Sequence, residues 1–200
     1  MKLFLKNRLA PIRILGRNRM TGFLPLTAIC WTLFLYSKEG RVDEILWVCN
    51  ISNFLLGVSI LLSWAPGIWA ATLWILIGTP LWLYDCVHTS QIEAHSFFTH
   101  LGSSVVGLMA CRNHPVKKMY FFKTFLILIP VQLLSRILTR PDFNVNGAFR
   151  TYDSEMPYSF YWLLCAFGFN LALFVTEWII RQRFAAKFLH GFSQEIEREI

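Results

Sequence analysis

The sequence predicts an all-α, polytopic integral membrane protein: a bundle of about six spanning helices with both termini in the cytoplasm. Three observations lead there. The 200 residues are 55% hydrophobic and 16% charged, whereas a soluble domain carries about 25% charged residues. Six stretches approach the roughly 20 apolar residues that a bilayer crossing takes. Basic residues are shared unevenly among the segments that join those stretches, and that bias sets orientation.

Residues 1–19 form a basic cytoplasmic segment, with Lys2, Lys6, Arg8, Arg13, Arg17 and Arg19 and no acid before Glu39. Such charge beside a first span is read by the insertion machinery and by anionic lipid, so the net charge of +7 points to a membrane and not to nucleic acid. This start lacks a compact apolar core followed by a small-residue cleavage site, so no cleavable signal is expected.

The transmembrane domain is expected over residues 20–180. Its six segments are Met20 to Tyr36, Ile45 to Trp64, Gly67 to His88, Ser96 to Cys111, Met119 to Thr139 and Tyr158 to Ile180. None shows the two-residue alternation of a membrane barrel. Pro66 is expected to mark a turn, and Pro80 and Pro130 two kinks of the sort membranes tolerate. Gly57, Gly78, Gly102, Gly107 and Gly168 give small faces where helices can approach closely. Residues 181–200, with Phe184, Phe188 and Phe192 at four-residue spacing, read as a cytoplasmic amphipathic tail or as an extension of the last helix.

With the N-terminus inside, the inner segments hold 13 basic residues and the outer loops four. That asymmetry and the even helix count agree on two cytoplasmic ends. On this topology Cys49, Asn50 and Asn53 lie near the outer end of the second segment. Asp85 and His88 close the third, Thr99 and His100 lie one turn down the fourth, and Arg136 lies near the outer end of the fifth. Asn144 and Asn146 follow in the outer loop. Ionisable groups within a membrane are costly unless paired or facing a cavity, so this outer cluster is the candidate site.

A thiol beside an imidazole can act as a nucleophile, the histidine taking its proton. Cys49 and His100 are the candidate nucleophile and base, with Asp85 orienting the ring in the manner of a triad. Asn50, Asn53, Arg136, Asn144 and Asn146 are candidate substrate-binding groups for a phosphate or ester oxygen. At headgroup depth those esters belong to membrane lipids, the expected partners. The five cysteines show no CxxC or Cys/His spacing, and no metal or cofactor is expected.

Several runs carry a resemblance: Trp47-Val48-Cys49-Asn50-Ile51-Ser52, Phe97-Phe98-Thr99-His100, Asn144-Val145-Asn146-Gly147-Ala148-Phe149 and Pro157-Tyr158-Ser159-Phe160-Tyr161-Trp162. In order and spacing the chain resembles YwaF-type bacterial six-helix membrane proteins, which are distantly similar to eukaryotic cysteine-dependent transmembrane phospholipid acyltransferases. The resemblance implies six helices, a nucleophile at Cys49, a histidine at His100 and a place in the bacterial inner membrane. The chain departs from it at Leu46-Trp47-Val48, where members often carry a histidine in a Pro-Leu-His-Leu-Cys run. More distant six-helix lipid hydrolases use a threonine, which makes Thr99 an alternative nucleophile.

Other readings stay open at this point. A transporter would use Asp85, His100 and Arg136 as a relay, although no inverted repeat is present. A structural or assembly protein would use the same groups to fix helix packing. Cys49 and Cys86 could pair as an outer-side disulfide, and Asp85, His88, His95 and His100 form a loose candidate metal set.

Overall fold

The computed structural model describes residues 19–89, 93–114, 116, 119–147 and 157–199, with backbone alone for 89, 143, 158, 160 and 184–199. Among these residues the chain is helical throughout, with no strand. The helices are α1 (Phe23–Glu39), α2 (Val48–Leu61), α3 (Ala65–Thr89), α4 (Ala94–Phe97), α5 (Ser103–Asn113), α6 (Phe121–Leu126), α7 (Leu128–Leu138) and α8 (Tyr158–Glu199). A π turn over Phe98–Gly102 joins α4 to α5, and 3-10 turns occupy Val42–Leu46 and Pro141–Phe143. The basic segment 1–18 and the loop 148–156 lie outside the described residues.

Three helical stretches are long and apolar enough to cross a membrane: Ala65–His88, Phe121–Leu138 and Tyr161–Arg183. The helix Val48–Leu61 is apolar but shorter. Burial separates these stretches. In α3 the apolar window is 56% buried, against 17% for the last stretch. Thus α3 is the central post, with Ile68, Leu73 and Ile75 fully enclosed, while α8 turns Leu163, Phe167 and Trp178 outward. Large apolar rings left uncovered would be driven together in water but are at rest in hydrocarbon.

Proline positions differ in outcome. Pro66 sits inside the first turn of α3, after the turn made by Ser63 at φ 55°. Pro80 leaves α3 a single helix. The break in the fifth segment falls at Ile127, not at Pro130. Proline has no N–H to give to the carbonyl four residues back, so the ladder opens near Leu126, one turn before the ring. Close approach fixes another site. A Cβ on Gly57 of α2 would stand 2.8 Å from the Gly22 carbonyl oxygen, which only glycine permits at that crossing.

The last helix continues through the expected tail as one 42-residue element. Near its middle Glu177 is fully buried. Its carboxylate accepts the backbone N–H of Tyr120 (2.8 Å) and Phe121 (2.7 Å) at the start of α6. Arg181 donates to the same carboxylate from Nε (2.9 Å) and Nη2 (2.7 Å), and from Nη1 to the Val116 carbonyl at 2.8 Å. The Arg181 guanidinium lies 5.1 Å over the Trp69 ring. One charged pair thus caps α6 and fastens the 114–121 connection to α3 and α8.

Candidate functional site

The site begins with the π turn. Its i to i+5 pattern inserts a residue and resets the register of the helix that follows. Thr99 and His100, adjacent in sequence, are both buried, as are Ser103 and Ser104. Asn53 of α2 serves this turn: its Nδ2 donates to the Thr99 carbonyl (2.9 Å) and to the Cys49 carbonyl (2.9 Å). The Ser103 hydroxyl in turn donates to Asn53 Oδ1. One fully buried amide therefore binds the residue of the candidate thiol to the turn that carries the candidate base.

His100 stacks on Trp82 of α3 with ring centroids 4.9 Å apart and planes 5° from parallel. Phe97 closes edge-on against the other part of Trp82 at 5.2 Å. The His100 Nδ1 is buried and has no hydrogen-bond partner among the described residues. Cys49, a free thiol, comes up to the same spot over Gly78 as His100 does. A Cβ built on Gly78 would stand 3.8 Å from Cys49 Cβ and 3.9 Å from His100 Cε1. The thiol side chain and the imidazole thus border one small gap, floored by a glycine backbone.

The other expected site residues have different places. Asp85 is exposed near the C-terminal end of α3 and is not bonded to His100, whose ring stacks on Trp82 instead. Asn50 Nδ2 donates to the Glu44 carbonyl at 2.9 Å, fixing the chain as it enters α2. Asn146 is committed on all sides: Nδ2 donates to Leu46 O (2.7 Å) and Ser135 Oγ (2.8 Å), and Oδ1 accepts the Val48 N–H (2.9 Å). It is the N-terminal cap of α2, supplied from 98 residues away. Asn144 is buried in a left-handed turn at φ 43°, which asparagine tolerates better than most residues. Arg136 is exposed on α7. The Thr99 hydroxyl donates to the Ser96 carbonyl at 3.0 Å.

Cys86 is also a free thiol, so the outer-side disulfide is not formed. Among the described residues no three His, Cys, Asp or Glu side chains gather as a metal set; His88 instead turns its Nδ1 to the Tyr84 carbonyl (3.0 Å).

The turns that lead into α2 and out of α7 are laced together. Arg41 makes a two-point contact with Glu44 (2.7 and 2.9 Å), reaches Glu93 at 2.7 Å, and covers the Tyr36 ring at 5.0 Å. Arg140 donates its backbone N–H to Asp43 at 2.8 Å, and chiefly that bond holds the Asp43 carboxyl below the usual carboxylate range. Replacing Asn146 by Leu is expected to unpin this collar at a cost of roughly 2–4 kcal/mol, since each orphaned buried partner costs about 1–3 kcal/mol. Chemical unfolding in detergent measures it, and an unchanged midpoint would refute the capping role.

Sequence reasoning did not reach Trp82, and gave Gly78 only a helix-packing role. The signal was present, because helical residues three or four apart share a face: stepping back three from Asp85 leads to Trp82, and four more to Gly78. A cavity of about 840 Å³ lined by Leu76, Ile77, Pro80, Leu81 and Gly168 lies on another face of α3 and does not serve this gap. No family model, curated protein or solved structure matches the chain.

Proposed function

We propose that this chain is a six-span protein of the bacterial inner membrane that transfers or hydrolyses lipid acyl groups, with Cys49 as nucleophile and His100 as base. One observation carries the chemistry: thiol and imidazole side chains from two helices border the same gap over Gly78, and the imidazole Nδ1 that faces no protein partner is buried. A buried polar atom left unsatisfied is costly, and a proton-accepting task in a bound complex is a reason to keep one.

The membrane reading is supported by the three long apolar helices. It is supported also by the remaining pieces: residues 94–113 rise about 30 Å at 1.5 Å per residue, a bilayer's hydrocarbon thickness. The 17-residue α1 and the segment made by the 42–46 turn with α2 would cross where the bilayer thins locally. The charge asymmetry sets both termini in the cytoplasm. The resemblance to YwaF-type proteins fits the same assignment.

In the reaction, His100 takes the Cys49 proton and the thiolate attacks an ester carbonyl carbon. An S–C bond forms as the C–O bond breaks, and the imidazolium returns the proton to the departing alcohol. Water or a second alcohol then resolves the thioester. Arg136 is assigned the lipid phosphate, as guanidinium favours two-point contact with such oxygens. Trp82 replaces a carboxylate as the group that orients the ring.

The test is labelling of purified protein with an alkyne-tagged fatty acyl thioester. Wild type is expected to acquire a hydroxylamine-sensitive adduct at Cys49, and Cys49→Ala to lose it. An adduct that persists in Cys49→Ala rejects the nucleophile.

A further inference from the structure

We propose that the space over Gly78 is the seat of the substrate's reacting carbonyl carbon, and that its width restricts the protein to acyl groups unbranched beside that carbonyl. The inference rests on the acyl-transfer reading and adds to it a subsite, a specificity residue and a substrate class.

Gly78 sits well inside α3, where glycine weakens a helix relative to alanine. Steric need does not explain it. At Gly57 an added Cβ would meet the Gly22 carbonyl oxygen at 2.8 Å, so that glycine belongs to the packing. At Gly78 the two neighbours within 4 Å are Cys49 Cβ at 3.8 Å and His100 Cε1 at 3.9 Å, both ordinary contact distances. The fold would accept a methyl group there. The backbone instead leaves that volume open, and the atoms bordering it belong to a thiol residue and an imidazole.

The dimensions suit a reacting carbon. The Cys49 sulfur is one bond beyond Cβ, and rotation about Cα–Cβ swings it between staggered positions, so a rotamer turned toward this space would set it near the attack separation of about 3–3.5 Å. His100 Cε1 lies between the two ring nitrogens, which puts a proton acceptor beside the same space. Gly78 and Cys49 are both partly exposed, so a ligand has a way in. A carbon placed there already touches Cys49 Cβ at 3.8 Å and His100 Cε1 at 3.9 Å, so those two sides leave no slack for a further methyl group. Planar ester carbonyls with a methylene beside them fit, whereas a methyl branch on that methylene would meet either Cys49 or the His100 ring, and Trp82 keeps the ring from turning aside.

Two probes decide it: an alkyne-tagged straight-chain acyl thioester and its 2-methyl-branched counterpart, each offered to wild type and to Gly78→Ala. Wild type is expected to label at Cys49 at least tenfold faster with the straight chain. Gly78→Ala is expected to keep or raise its melting temperature and to lose at least tenfold in straight-chain labelling. Equal rates for the two probes on wild type, or a folded Gly78→Ala that labels as wild type does, would overturn the subsite while leaving Cys49 as nucleophile. No Cys49 adduct from either probe would overturn the acyl-transfer reading and the subsite with it. The wild-type comparison of probes stands even if the variant fails to fold.

Discussion

Glu177→Ala is expected to destabilise the protein by about 3–5 kcal/mol, the usual cost of removing one partner from a buried ion pair. The carboxylate it deletes is fully enclosed and receives two backbone N–H groups and two guanidinium contacts. Alanine leaves all of those donors behind. The Tyr120 and Phe121 N–H groups open α6, where intrahelical partners are lacking, and Arg181 becomes a charge without its counter-ion. Glu177→Gln keeps shape and acceptor oxygen but loses charge, so a smaller loss of about 1–3 kcal/mol is expected. Denaturant or thermal unfolding in detergent ranks wild type, Gln and Ala in that order. A loss below about 1 kcal/mol for alanine would show that the pair adds little beyond its own desolvation cost.

His100→Gln is expected to slow acyl labelling of Cys49 by about 10²–10⁴-fold at neutral pH, the range over which a positioned general base contributes. The residue is buried and its ring lies flat against Trp82, so glutamine keeps much of the volume and some polarity. The pH profile separates chemistry from folding. In the variant no imidazole removes the thiol proton, so the rate should climb with pH as hydroxide takes over that task, narrowing the gap to wild type. A rate lowered equally at every pH, together with a lower melting temperature, would mark His100 as a packing residue.

Much of the fold could be read from apolar length. The third and sixth segments were visible because runs of more than 20 apolar residues admit few other structures. The fourth was visible as helix, but its π turn was not, since nothing in Phe98-Thr99-His100-Leu101-Gly102 forces an i to i+5 bond. That turn depends on Asn53, 46 residues earlier, to satisfy the Thr99 carbonyl. Asn146 shows the same limit. Its sequence position says turn, while its side chain caps a helix 98 residues away. Depth along the helices brought Cys49 and His100 to one level, and the structure sets both against Gly78. Asp85 shares the Gly78 face of α3 but stands seven residues further along, about 10 Å at 1.5 Å per residue, so height and not face keeps it, exposed, from His100. Glu177 and Arg181 have the i, i+4 spacing of a helix pair, but that spacing carries no sign of the backbone N–H groups that the carboxylate serves.

Asn53 carries one more consequence. Helices in a bilayer tilt and shift as membrane thickness changes, and groups on separate helices would drift apart in height as they do so. The Asn53 amide grips the Cys49 carbonyl with one hand and the Thr99 carbonyl with the other. The second helix and the π turn must therefore rise and sink together. Reconstituted into thin or thick bilayers, the protein would change its inclination while the thiol and the imidazole kept their mutual spacing, as two marks on one ruler do.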